Sequence, residues 1–361
     1  HCIESLLSQT RAPDKILFVD DGVGDCAHLR EVYPEVEYVL REENLGTVNN
    51  FQDLVGSANA DNLTGSATAN IINGGAGDDT INGGGGNDTY LYLAGVALDN
   101  DQVTSAAGDT FDFSAIAADL TYAVAGTVTD PASGDVVTGI NSASVLRVNT
   151  GQNNTLSYAG GSAATIDLAA GTATNAETNF TTISGFNIVI GTDNGDTITG
   201  DGNNNTITGG VGDDNMEGGD GDDTFLFADG WGVDTITDSG GTADVFDFSG
   251  QTANPLNFAV GSLTVTDTPG TNSATIATNN IEQIIGGGNA AGDTLDYSGV
   301  ATPVSVDLGA NIATNYTSAT GIEHATGGTG DDTLTGDGNA NILQGGDGGD
   351  SISGGAGNDT I

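Results

Sequence analysis

Twelve positions carry an oxygen-bearing side chain at the same place in a nine-residue frame. They read Asp61, Asn70, Asp79, Asp88, then Asp196, Asn205, Asp214, Asp223, then Asp332, Asn341, Asp350 and Asp359. Each is position six of a unit such as GGAGDDTIN, and glycine recurs at positions one, two and four. Glycine there allows positive φ and lets backbone oxygens turn inward past the place a Cβ would fill. The position-six side chain then projects into the same turn. With no thiol or imidazole in these frames, the donors are oxygens alone, and an all-oxygen set selects a hard cation. Flexible loops of carbonyls and carboxylates suit the six to eight oxygens of Ca²⁺ better than the tight octahedron of Mg²⁺. Calcium is therefore the expected cofactor. The aspartates are the expected ligands, and Asn70, Asn205 and Asn341 the weaker ones.

The elements that must hold these turns follow from position eight. It is Leu63, Ile72, Ile81 and Tyr90 in the first run, Ile198, Ile207, Met216 and Phe225 in the second, and Leu334, Leu343, Ile352 and Ile361 in the third. One large apolar side chain per short strand builds a narrow stacked core, and two repeats make one coil of a parallel β-solenoid with metal-binding turns on both edges. Repeats one and three then share one edge and repeats two and four the other. The units resemble the G-G-x-G-x-D-x-U-x pattern of the repeats-in-toxin (hemolysin-type) family. That resemblance implies a β-roll with Ca²⁺ held between stacked turns. It also implies an exported protein whose repeats stay unfolded at low calcium and fold outside the cell.

Composition divides the chain near residue 55. Residues 1–55 hold three glycines, both cysteines, four of the five basic residues and eleven acids; the remaining 306 residues hold 55 glycines, 39 acids and a single cation, Arg147. "KILFVDDG" and "EVEYVLREE" are expected strands, and "CIESLLSQT" and "TVNNFQDLV" expected helical segments. "ESLLSQTRAPDKILFVDDGVGD" with "REENLGTVNNF" resembles the opening of family 2 glycosyltransferases. The resemblance implies nucleotide-sugar contacts for Asp20 and Asp21. The metal-binding Asp-x-Asp and catalytic carboxylate of that family do not follow, since Leu54 and Val55 lead straight into glycine repeats. Asp20 and Asp21 are thus expected to be vestigial and the chain to lack transferase activity. Because the first residue is His1 rather than Met, upstream sequence is expected to be missing.

The expected organisation is a truncated glycosyltransferase-like α/β fragment at 1–55, then runs of repeats at 56–91, 191–226 and 327–361 separated by β-rich spacers at 92–190 and 227–326. The spacers repeat too: "DTFDFS" from Asp109 returns as "DVFDFS" from Asp244. They are expected to continue the solenoid in irregular coils, with no chemical signature of their own. The fold class is mostly β, a parallel β-roll or β-solenoid array.

A formal charge of -45 on 361 residues excludes nucleic acid as a partner, because a polyanion needs a basic footprint. No apolar run reaches the ~18 residues of a membrane span. With three histidines, at 1, 28 and 324, there is no H-E-x-x-H, no G-x-S-x-G occurs, and Lys15 is the only lysine, so no phosphate-gripping loop exists. His324 is expected to be a structural strand residue. The sequence therefore points to a calcium-binding, extracellular or surface-located structural or adhesive module. Its cell-surface or polysaccharide partner is not specified by any residue, and the alternative is a glycosyltransferase with a repeat tail.

Overall fold

The computed structural model describes residues 17–20, 37–40, 53–140, 145–268, 270–277 and 281–361. Every regular element among them is a β-strand, most of them three or four residues long. Leu17–Asp20 pairs in parallel with Glu37–Leu40, with Asp20 opposite Leu40. Asp21, "CIESLLSQT" and most of "TVNNFQDLV" lie outside the described residues. The last three residues of that second segment, Asp53–Val55, depart from the helical expectation. They form a strand in parallel register with Ile71–Asn73, with Leu54 beside Ile72. The reason is local: Asp-Leu-Val stands one repeat length before the strand Asn62–Thr64, so it enters the stack as the other repeats do.

The chain divides into two compact units, His1–Thr121 with Ala125–Gln152, and Tyr122–Val124 with Asn153–Ile361. In the first unit, Asp53–Val55, Ile71–Asn73, Thr89–Leu91, Thr110–Phe113 and Val145–Val148 stack in parallel as one sheet. Asn62–Thr64, Thr80–Asn82 and Gln102–Thr104 stack as the other. Successive repeats thus alternate between two sheets, and within a run each strand sits over the one 18 residues earlier, as Asn62 opposite Thr80 shows. The second unit repeats the pattern. Ile188–Ile190, Thr206–Thr208 and Thr224–Ala228 lie in one sheet, and Thr197–Thr199, Asn215–Glu217 and Val233–Thr237 in the other. The segments between runs keep this stacking and add short antiparallel excursions, such as Leu256–Ala259 against Thr264–Asp267.

The core is the column of position-eight side chains. Ile72, Ile81, Tyr90, Ile198, Ile207, Met216, Phe225, Leu334 and Leu343 are all buried. Leu63 and Ile352 sit half-buried on strands that end their sheets, and Ile361 is exposed. Flanking threonines and asparagines point out, giving the out-in-out burial of Thr80–Asn82. Where the nine-residue period stops, aromatic rings continue the column. Tyr90 and Tyr92 stack on Phe111 and Phe113 with centroids 4.6 and 4.3 Å apart. Phe227 stacks on Phe248 at 4.3 Å. Larger rings fill the wider coils that the irregular spacing creates. No helix of the described residues is long and apolar enough to cross a membrane.

Candidate metal centres

The coil geometry brings the position-six residues together in vertical pairs. The backbone N–H of Asp61 donates to Asp79 Oδ1 at 2.8 Å and that of Asn70 to Asp88 Oδ1 at 2.9 Å. In the second run Asp196 donates to Asp214 at 2.8 Å and Asn205 to Asp223 at 2.7 Å. In the third, Asp332 donates to Asp350 and Asn341 to Asp359, both at 3.0 Å. All twelve expected positions are therefore paired 18 residues apart, with odd-numbered repeats on one edge and even-numbered repeats on the other.

The two coils of a run differ in a way the repeat pattern does not announce. In the first coil the position-two amide donates to the position-six side chain of its own turn, as in Ser57 to Asp61 Oδ2 at 2.5 Å and Asp201 to Asn205 Oδ1 at 2.8 Å. In the second coil glycines at positions two and four take positive φ, as Gly75 at 97° and Gly77 at 102° do. That conformation turns the amide elsewhere: Gly75 N–H donates to Asn73 Oδ1 at 2.9 Å. The position-six oxygen is then left without a donor. Asp79 Oδ2, Asp88 Oδ2, Asp214 Oδ2 and Asp223 Oδ2 are buried and make no hydrogen bond. Position-one glycines serve a different end from the positive φ expected of them: Gly191 keeps an ordinary φ, and a Cβ on it would run into the carbonyl oxygen of Gly209 in the next coil and into the Asp196 carboxylate.

Sequence reasoning missed that the ladders run on into the spacers. Asp79 N–H donates to Asp101 Oδ1 at 2.9 Å and Asp88 N–H to Asp109 Oδ1 at 2.8 Å. Asp214 N–H donates to Asp234 Oδ1 at 3.0 Å and Asp223 N–H to Asp244 Oδ1 at 2.7 Å. The expectation that the spacers carry no chemical signature is thus corrected. A signal was present in that the D-T-I-T of Asp196–Thr199 returns at Asp234–Thr237 and a shorter D-x-aromatic form stands at Asp109 and Asp244. The back half of the repeat survives after the glycines are lost.

Electrostatics makes these ladders costly without a counter-ion. No Lys or Arg follows residue 55 except Arg147, which faces Asp112 at 3.8 Å. Burial pushes Asp79 up to about 7, with the charges of Asp101, Asp61 and Asp99 adding to it and the amide of Asp61 opposing. Burial likewise raises Asp214 to about 7, Asp223 to about 6 and Asp234 to about 8, each with neighbouring carboxylates adding to the rise. Burial and the Asp109 charge also raise Asp88. Ionised carboxylates stacked out of water need a cation or a proton. Orphaned carboxylate oxygens beside carbonyl-lined glycine turns, with no nitrogen or sulfur donor, fit a hard divalent ion. His324 lies on the strand His324–Thr326, where its Nδ1 accepts the Ile342 N–H at 3.2 Å and its Nε2 meets the Ala291 carbonyl at 3.1 Å.

Three segments, residues 55–90, 190–225 and 320–361, match the family model of the RTX calcium-binding nonapeptide repeat in four copies. They are repeats of that calcium-binding kind, and they coincide with the three runs of stacked turns. No curated protein matches the chain.

Proposed function

We propose that the chain is a calcium-assembled β-roll module of an exported protein, acting outside the cell in a structural or adhesive role. One observation carries this reading: buried position-six carboxylates are stacked with unpartnered oxygens and without a basic side chain to neutralise them. Asp61, Asp79, Asp196, Asp214, Asp332 and Asp350 would hold calcium on one edge. Asp88, Asp223 and Asp359 would do so on the other, with Asn70, Asn205 and Asn341. Bound calcium supplies the positive charge that the ladders lack. The chain's own residues do the rest. Position-one glycines bring carbonyl oxygens such as those of Gly74 and Gly209 beside the carboxylates of Asp61 and Asp196, and the position-eight column fixes the spacing between coils.

Coupling to location follows from mass action. An ion that binds only the folded state stabilises it by an amount that grows with its concentration. A roll with a thin apolar core and 39 acids after residue 55 would therefore be unfolded where calcium is scarce and folded where it is plentiful. Extracellular calcium modules work at about 10⁻⁴ to 10⁻³ M, which suits folding after export. Circular dichroism of the full chain in calcium-stripped buffer, followed by calcium addition, tests the proposal. A gain of β-signal with calcium and much less with equimolar Mg²⁺ is expected. An unchanged spectrum would show that the apolar column suffices alone.

A further inference from the structure

The coil above the last repeat of the second run departs from the repeat pattern in one respect that bears on cation binding. In the regular stack, Gly200 N–H donates to the carbonyl of Glu217, the residue before the position-one glycine Gly218. One coil further, Gly218 N–H donates to the carbonyl of Thr237 at 3.1 Å. Asp238 therefore stands where a position-one glycine belongs. Regular turns need glycine there because no room exists for a Cβ; here the coil is longer, since Asp244 follows Asp223 by 21 residues rather than 18. The extra length makes room for a side chain, and the side chain is a carboxylate.

Its direction is set by Gly218. A Cβ built on that glycine would collide both with Asp223 Oδ2 and with Asp238 Oδ1, so the two oxygens converge on one spot. Asp244 completes the group: the carboxylates of Asp223, Asp238 and Asp244 each offer an oxygen, and these lie within 4.8 Å of one another. All three residues are at most 1 % exposed. Acidic clusters are common and prove little alone, but here Asp223 Oδ2 and Asp244 Oδ2 are fully enclosed and find no donor outside the cluster. A backbone oxygen also reaches the cluster's edge. Gly241, at φ 79°, lies so close that a Cβ on it would strike both the Gly221 carbonyl oxygen and the Asp244 carboxylate. Further up, Asp244 N–H donates to Glu282 Oε2 at 3.1 Å, which adds acid rather than base. No Lys or Arg occurs anywhere from residue 148 to 361.

We infer that Asp223, Asp238 and Asp244 form a calcium site of their own, with three buried carboxylates where the position-six residues of a regular pair of stacked turns supply two. Asp238 and Asp244 lie beyond the repeat match, which stops at residue 225 and resumes at 320. The inference shares the cation chemistry proposed for the repeats and rests on it, but it places an ion at the end of the second run, with two of its three ligands beyond the repeat match. Affinity rises with ligand charge, so this site binds more tightly than those inside the runs. Functionally, the site pins the first irregular coil onto the last regular one, so the spacer after run two folds with the run.

The test compares the parent chain with Asp238→Asn and Asp238→Gly. Asparagine keeps the size and removes the charge; glycine restores the residue found at this place in the regular repeats, so at least one variant keeps the fold. Each is stripped of metal and titrated with calcium by calorimetry, with bound calcium counted by atomic emission after equilibrium dialysis. Both variants are expected to bind one ion fewer, to lose the tightest step, and to retain the remaining steps within about twofold. Their circular dichroism at saturating calcium should match the parent. Equal stoichiometry and superimposable isotherms in parent and both variants would overturn the inference while leaving calcium binding by the repeats intact. A parent that binds no calcium at all would instead overturn the function proposed for the runs, and this site with it.

Discussion

Replacing Asp214 by Asn should shift the stability of the second run in opposite directions with and without calcium. Without metal, Asp214 is a 2 % exposed carboxylate raised to about 7 by burial and by the charges of Asp196 and Asp213. Ionising a carboxyl so raised at the pH where a free one is already charged costs roughly 4 kcal/mol. Water and counter-ions at a turn on the solenoid's edge screen such a charge, so ~1–2 kcal/mol is the realistic gain on neutralising it. Asparagine occupies position six of a first-coil turn at Asn341, where its Nδ2 donates to the Glu323 carbonyl at 2.7 Å, so the repeat can hold an amide at this position. The metal-free variant should therefore be about 1 kcal/mol more stable than the parent. With calcium a thousandfold above Kd, a site adds about 4.1 kcal/mol. Loss of an outer-shell partner costs 10–100-fold in affinity, so loss of a direct carboxylate should cost at least a hundredfold, about 2.7 kcal/mol. The calcium-loaded variant should then be ~2 kcal/mol less stable. Urea unfolding followed by circular dichroism measures the calcium-loaded pair. An osmolyte titration in stripped buffer brings the metal-free pair into range. A change of the same sign in both conditions, or none in either, would mean that Asp214 is a packing or hydrogen-bonding residue and that the cation reasoning fails.

The mirror substitution, Asn205→Asp, should destabilise the metal-free roll by about 1 kcal/mol and strengthen calcium binding on its edge, because it sets a second carboxylate against Asp223; an unchanged calorimetric isotherm would reject a difference between the two edges. Acidity should act through the same ladders. Carboxylates raised in the folded state contribute stability that is complete below their unfolded value near 4 and lost as pH rises through about 6 to 8, so the calcium-stripped chain should gain β-signal on acidification from pH 8 to 5. A falling signal over that range would contradict the raised values. Gly191→Ala should cost ~1–3 kcal/mol, since its Cβ meets the Gly209 carbonyl, whereas Gly202→Ala, with nothing within 4 Å, should be neutral or slightly stabilising; thermal midpoints of the two variants compare them directly.

Much of this architecture was legible in the residues. A period of nine with an apolar residue at position eight requires short strands, and glycines before the position-six acid require tight turns. With two repeats to a coil, the six vertical pairs, from Asp61/Asp79 to Asn341/Asp359, follow from that period. The chemistry was legible too, because a donor set of carboxylates, amides and carbonyls admits a hard cation and little else. These inferences succeed because they concern contacts at a fixed separation, and a fixed separation is visible as a repeat.

Tertiary structure decided what varies along the chain. Asp101, Asp109, Asp234 and Asp244 join the ladders at separations of 20 to 22 residues, because the coils that carry them are longer, and a search for a period of 18 passes over them. The different roles of the two coils were equally hidden. Asp61 and Asp79 share one letter and one position, yet the Ser57 amide satisfies Asp61, while positive φ at Gly75 leaves Asp79 with a bare oxygen. Asp238 looks like one more surface acid in a chain with 50 of them. Only the hydrogen bond from Gly218 to Thr237 places it on a glycine's seat beside Asp223 and Asp244. Composition and period determine which elements form and which ion they suit. The convergence of particular oxygens depends on how much chain lies between the coils they come from, and that is settled when the coils stack.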